Sequence, residues 1–216
     1  MPLHGHDAFA FSSTTLVVAD GVGSWTDRDV DPAIWSHMLV SEVIMNQDAD
    51  DDPDSILDNL FRAVARCRAP GSSTLVVAVM EPDGPHALLY NLGDSSWWQV
   101  RDSQIIARSR DLLHGPNQPY QVGRNQDLSM IGDSVDEGRF DRLDLVVGDR
   151  LVLATDGLSK LLDSDQIAEA SSIGDPAVAT SLMAEVLEDL RDHANRMLRD
   201  DITVLVAEVI SSPASP

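Results

Sequence analysis

Between residues 73 and 109 the chain runs through four short β-prone segments, STLVVAVM, HALLYNLG, WWQVR and QIIARS, with turn residues Asp83-Gly84 and Asp102-Ser103 between them. Such closely spaced strands read as an antiparallel meander. Nearer the start, DAFAF and TTLVVAD are separated by SST and read as a hairpin ending at Asp20-Gly21. Further on, RFDRLDL and RLVLATDG flank a turn at Gly148-Asp149, and the second run also stops on an Asp-Gly pair, Asp156-Gly157. ITVLVAEVI supplies a last strand.

Helices are announced by a repeated device. Asp31-Pro32, Asp52-Pro53 and Asp175-Pro176 each set an N-cap and a first-turn proline ahead of an apolar periodicity. The first helix presents Trp35, Met38, Leu39 and Val43 on one face, and the second Ile56, Leu57, Leu60, Phe61 and Val64. In the third, Val178, Leu182, Val186 and Leu190 are expected to point inward. Hairpin-connected strands interleaved with pairs of helices imply an α+β fold, a two-sheet antiparallel β-sandwich flanked by helix pairs, rather than a parallel doubly wound sheet. The polar stretch from Arg110 to about Gly138, rich in Gly, Pro and Asn, is too long for a simple connection and is a candidate flap beside a site. One domain is expected over residues 1–210, with 211–216 a disordered tail.

Charge narrows the partners. Asp and Glu number 36 against 15 Lys and Arg, a formal net charge of -21 that repels nucleic acid and anionic membrane surfaces. The lone cysteine, Cys67, rules out an internal disulfide and a cysteine-based zinc site, and is expected in the core. The opening MPLHGHDAFAF has neither the pattern of a signal peptide nor that of a transit peptide, and no run is apolar enough to span a bilayer. A monomeric cytoplasmic protein is the expectation.

Carboxylates recur beside the strands: Gly5-His6-Asp7, Ala19-Asp20-Gly21, Thr155-Asp156-Gly157 and Arg199-Asp200-Asp201. A single Asp-Gly pair is ordinarily a turn. Three of these, however, interrupt apolar runs, as LVVADGVG, LVLATDGL and LRDDITVLV, where carboxylates beside core strands repel one another unless something positive lies between them. A hard dication meets that need, and aspartate oxygens with a backbone carbonyl suit Mg²⁺ or Mn²⁺ better than zinc.

ADGVGSW, GSST, NLGDSSW, LATDGL and DDITVLVA occur in this order over nearly the whole chain. The sequence thereby resembles the PPM-type, or protein phosphatase 2C-like, metal-dependent serine/threonine phosphatases. DGVGSW followed by VDPAIW is most similar to the branch with DGVGGW before a DP-started helix. The resemblance implies two Mg²⁺ or Mn²⁺ ions at one end of the sandwich and hydrolysis of phosphoserine and phosphothreonine in proteins by a metal-activated water. Carried over by motif, Asp20 bridges the ions, Gly21 offers its carbonyl oxygen, Asp156 and Asp200 ligate one ion, and Asp7 holds metal-bound water. Asp94 matches an aspartate that helps form a third site in some members, whereas Asp201, where many relatives have asparagine, is expected to orient structure.

The departures are specific. An arginine that often precedes the first acidic pair is absent from Met1-Pro2-Leu3-His4, His6 stands where a glutamate is expected, and Val22 where some relatives place a histidine acid. His6 or His4 is the candidate to bind phosphate and protonate the leaving group, with His114 a further histidine of similar standing. Trp25, Trp35, Trp97 and Trp98 are read as packing residues. Two other functions fit the motifs: a pseudophosphatase that binds phosphoproteins, and a phosphatase of small phosphomonoesters.

Overall fold

The alternation of apolar side chains sorts into three separate cores. A computed structural model describes residues 5–46, 52–82, 84–193 and 200–211. In chain order the elements begin with β1 (Ala8–Phe11), β2 (Thr15–Ala19), α1 (Pro32–Asn46), α2 (Pro53–Arg66), β3 (Gly71–Ser73), β4 (Leu75–Met80) and β5 (His86–Leu92). Next come β6 (Ser96–Arg101), β7 (Gln104–Arg108), β8 (Leu113–Gly115), β9 (Gln118–Pro119), β10 (Val122–Arg124) and β11 (Met130–Gly132). The remainder is β12 (Arg139–Asp144), β13 (Arg150–Ala154), α3 (Asp156–Ser159), α4 (Ser164–Ser171), α5 (Pro176–His193) and β14 (Val204–Glu208).

One antiparallel sheet has the order β1-β2-β4-β5-β12 and the other β14-β13-β6-β7. Because side chains alternate across a strand, Val17, Leu75, Val77 and Val79 face α1 and α2, packing on Trp35, Leu39, Ile56 and Leu60. Their neighbours Val18, Val76 and Ala78 face the opposite way and meet Trp97, Leu151 and Leu153 of the second sheet. That sheet turns Trp98, Val100 and Val152 outward to Ile167 of α4 and Met183 and Leu187 of α5. The result is four layers, helix, sheet, sheet, helix, in agreement with the expected sandwich.

The helix starts are built as expected: Asp31, Asp52 and Asp175 accept hydrogen bonds from the amides of Ala33, Ser55 and Val178. Arg124 closes the other end of α2, its buried guanidinium donating to the carbonyls of Cys67 (2.8 Å) and Ala65 (3.3 Å). Cys67 is buried, and so are the four tryptophans.

Three expectations are corrected. The meander is two hairpins: β4 pairs with β5, β6 pairs with β7, and the chain changes sheets between them at Gly93-Asp94-Ser95. On α5 it is Ala179, Met183 and Leu187 that are buried, while Val178, Val186 and Leu190 are exposed, a rotation of one residue about the helix axis. Phe61 is likewise 44% exposed, because Leu60, Ala63 and Val64 fill the seam. The stretch from 110 to 138 carries β8 to β11, and β10 pairs with β3 in a three-stranded sheet. Asp83, His4, Arg199 and the tail from 212 lie outside the described residues. Among the described residues no helix is long and apolar enough to cross a membrane.

Candidate metal centre

Strand polarity explains why residues distant in sequence share one end of the sandwich. Antiparallel pairing sets the end of β2 beside the start of β4 and the end of β5, and the end of β13 beside the starts of β6 and β14. Asp20 follows β2, Asp94 lies in the crossing from β5 to β6, Asp156 opens α3 after β13, and Asp200 and Asp201 lead into β14. Thr74 joins the two halves: its hydroxyl accepts from the Asp20 amide and lies 2.7 Å from that of Ser95, while its amide donates to the Asp20 carbonyl.

The N-terminal segment is laid across this end. The His6 amide donates to Asp201 (2.6 Å) and the His6 carbonyl accepts from Ser36 (2.6 Å), which presents Asp7 to the Thr155 hydroxyl at 2.8 Å. Asp201 thus ties down backbone, in keeping with the orienting role expected of it. A Cβ on Gly21 would collide with the His6 carbonyl, so only glycine permits this approach. The His6 ring lies alongside Gly23. His114 is elsewhere: it stacks on Tyr120 at 4.1 Å and bonds Asp133 at 2.7 Å, bracing the loop.

Electrostatically the cluster is strained. Burial, reinforced by Asp7, Asp156, Asp200 and Asp94, drives the Asp20 carboxyl well above the usual carboxylate range. Burial also pushes Asp7 up to about 6 against the hydrogen bond from Thr155, with Asp201 adding to the rise. Asp94 is likewise pushed up to about 6, by burial and by Asp156. Asp156 is raised by burial, with Lys160 opposing. Sequence reasoning missed Lys160, whose Nζ lies 2.6 Å from Asp156 and 2.6 Å from Asp200. Its place one helical turn after Asp156 was the available signal.

Among the described residues no three acidic, histidine or cysteine side chains converge tightly enough to define one ion position. The donor set nevertheless fits a hard cation. Asp156 Oδ1 is buried without a hydrogen-bond partner, burial and acidic neighbours raise several of the carboxyls, and every candidate donor is a carboxylate or backbone oxygen. A cavity of about 680 Å³ lies at the other end of the sandwich, lined by Leu16, Met80, Leu151 and Val209, and contains none of these residues.

An antiparallel sandwich between helical layers, with carboxylates from separate strand ends gathered at one rim, defines a metal-dependent phosphatase domain of the PPM type. Residues 12–210 match the family described as Stage II sporulation protein E (SpoIIE), and the chain belongs to that family. It is 28% identical to probable protein phosphatase 2C 26 of Arabidopsis thaliana, over 96% of this chain and 79% of that protein. With the protein phosphatase PTC7 homolog of Danio rerio the identity is 32%, over 68% of this chain, which spans about half (52%) of that relative's length. The photosystem II phosphatase PBCP superposes with a TM-score of 0.81 at 23% identity, over 95% of this chain and 92% of the other. The catalytic domain of the serine/threonine phosphatase PstP, solved with two manganese ions, superposes at 0.65 and 21% identity, over 98% and 94%.

Proposed function

We propose that this domain removes phosphate from phosphoserine and phosphothreonine in proteins, using two Mg²⁺ or Mn²⁺ ions held by Asp20, the Gly21 carbonyl, Asp156 and Asp200, with Asp7 holding metal-bound water and Asp94 available to a third ion. What supports this reading is the crowding of Asp7, Asp94, Asp156 and Asp200 around the partly buried Asp20, an arrangement that stays costly until cations neutralise it. The two manganese ions of the related PstP domain support the number and kind of ion.

Divalent ions held by these residues would supply an activated water and neutralise charge developing on the phosphoryl oxygens. The chain's own residues supply the geometry. Thr74 fixes the backbone of Asp20, and the Thr155 hydroxyl holds the carboxylate of Asp7. His6, held at its amide by Asp201 and its carbonyl by Ser36, is the group assigned to protonate the leaving oxygen.

Paired substrates test the assignment. An alkyl phosphoserine peptide needs its leaving oxygen protonated far more than an aryl phosphate does, so His6→Ala should slow the peptide by roughly tenfold or more and the aryl ester much less. Equal slowing of both would remove His6 from the acid role. Mn²⁺-dependent turnover of the aryl ester without any of the peptide would favour a small phosphomonoester as substrate, and binding of the peptide without turnover of either would favour a pseudophosphatase.

A further inference from the structure

Lys160 sits where a cation shared by two proposed metal ligands would sit. Its Nζ bridges Asp156 Oδ2 and Asp200 Oδ2, 2.6 Å from each, so the two carboxylates already share one positive charge. The lysine is short-leashed: it follows α3 directly, its amide bonded to the Asp156 carbonyl at 3.0 Å, and lies four residues from the carboxylate it holds. Asp156 is also incompletely satisfied, since its Oδ1 is buried and accepts no hydrogen bond although Oδ2 is paired with Lys160. An ammonium and a divalent ion cannot occupy the same gap, because both are positive and each needs the same oxygens.

We propose that Lys160 is a tethered competitor of the metal, so that loading of Asp156 and Asp200 is an exchange of an ammonium for a divalent ion. This rests on the reading of those two aspartates as metal ligands. In the exchanged state Lys160 is released from both carboxylates while remaining anchored one turn from Asp156. The lysine thereby sets two properties at once. It relieves carboxylate repulsion while no ion is bound, and it weakens apparent metal affinity by the cost of its own displacement.

Calorimetric titration of Mn²⁺ into the full chain tests this, comparing wild type with Lys160→Met, Lys160→Gln, Lys160→Arg and Asp156→Asn. Circular dichroism confirms folding, and the glutamine variant serves if methionine disturbs the fold. Removing the charge should tighten Mn²⁺ binding on the order of tenfold, lower the metal-free melting temperature, and enlarge the rise in melting temperature on adding Mn²⁺. Lys160→Arg, which keeps the charge, should stay within about threefold of wild type. Wild-type or weaker Mn²⁺ binding by folded Lys160→Gln, with binding lost in Asp156→Asn, would overturn the exchange alone and leave the ligands in place. Undiminished binding in Asp156→Asn, or no Mn²⁺ binding by any form, would overturn the ligand reading and the exchange with it.

Discussion

At the scale of single residues, the candidate centre differs from ordinary surface acidity by the state of its carboxyls. Asp7 and Asp94 are each pushed up to about 6, by burial first and by acidic neighbours second. A carboxyl whose folded pKa lies above its unfolded value binds more protons in the native state, so metal-free stability falls as pH rises from about 4 through about 6. Chemical denaturation of the chelated protein at pH 4.5 and 7 should show that loss, and Mn²⁺ affinity should strengthen by about tenfold or more over the same span as the carboxyls give up protons. A flat profile in both would mean that these groups titrate normally. Asp20→Asn should raise the metal-free melting temperature, by about 2–4 °C for each kcal/mol of repulsion removed, because four acidic residues surround it. Asp156→Asn should not, since it forfeits the ion pair with Lys160. Asp20, Asp156 and Asp200 were readable because each interrupts an apolar run, whereas the roles of Asp7 and Asp94 came only with the family resemblance. Lys160 was not, because a lysine four residues after an aspartate resembles any helix-surface pair, and its meeting with Asp200 forty residues on is made by tertiary structure alone.

At the scale of elements, what could be read was whatever is encoded locally. Aspartate before proline opens α1 and α2 where expected, and SST closes the β1–β2 hairpin. Which sheet a hairpin joins is a different kind of information: β5 and β6 are consecutive, similarly apolar and only three residues apart, yet belong to opposite sheets. The face of α5 was misjudged for a related reason. Val178, Leu182, Val186 and Leu190 form one stripe and Ala179, Met183 and Leu187 an adjacent one, and only the approach of α4 and β14 selects between them. Truncation separates the two stripes. Met183→Ala and Leu187→Ala should each cost about 2–4 kcal/mol in urea unfolding, whereas Val186→Ala should remain within about 0.5 kcal/mol. The reverse ranking would return the helix to the orientation that its sequence first suggests.

At the scale of the whole molecule, the sandwich separates stability from chemistry. Three apolar cores stack between the four layers, and the carboxylates gather at one rim, where strand ends from both sheets meet. A net charge of -21 makes the protein a natural sink for cations, so metal that binds only the folded form should stabilise it by mass action. Thermal unfolding with millimolar Mn²⁺ should move upward by several degrees over the chelated protein, and an unchanged midpoint would speak against a native metal site. Whether that rim hydrolyses phosphate is read directly from the phosphate released from a phosphothreonine peptide by wild type and by Asp20→Asn, each with Mn²⁺ and with chelator. Wild type should release phosphate with Mn²⁺ and none above background with chelator, and Asp20→Asn should lose activity by on the order of a hundredfold or more. Wild-type release in the presence of chelator, or from a folded Asp20→Asn, would rule out metal-dependent hydrolysis at this rim.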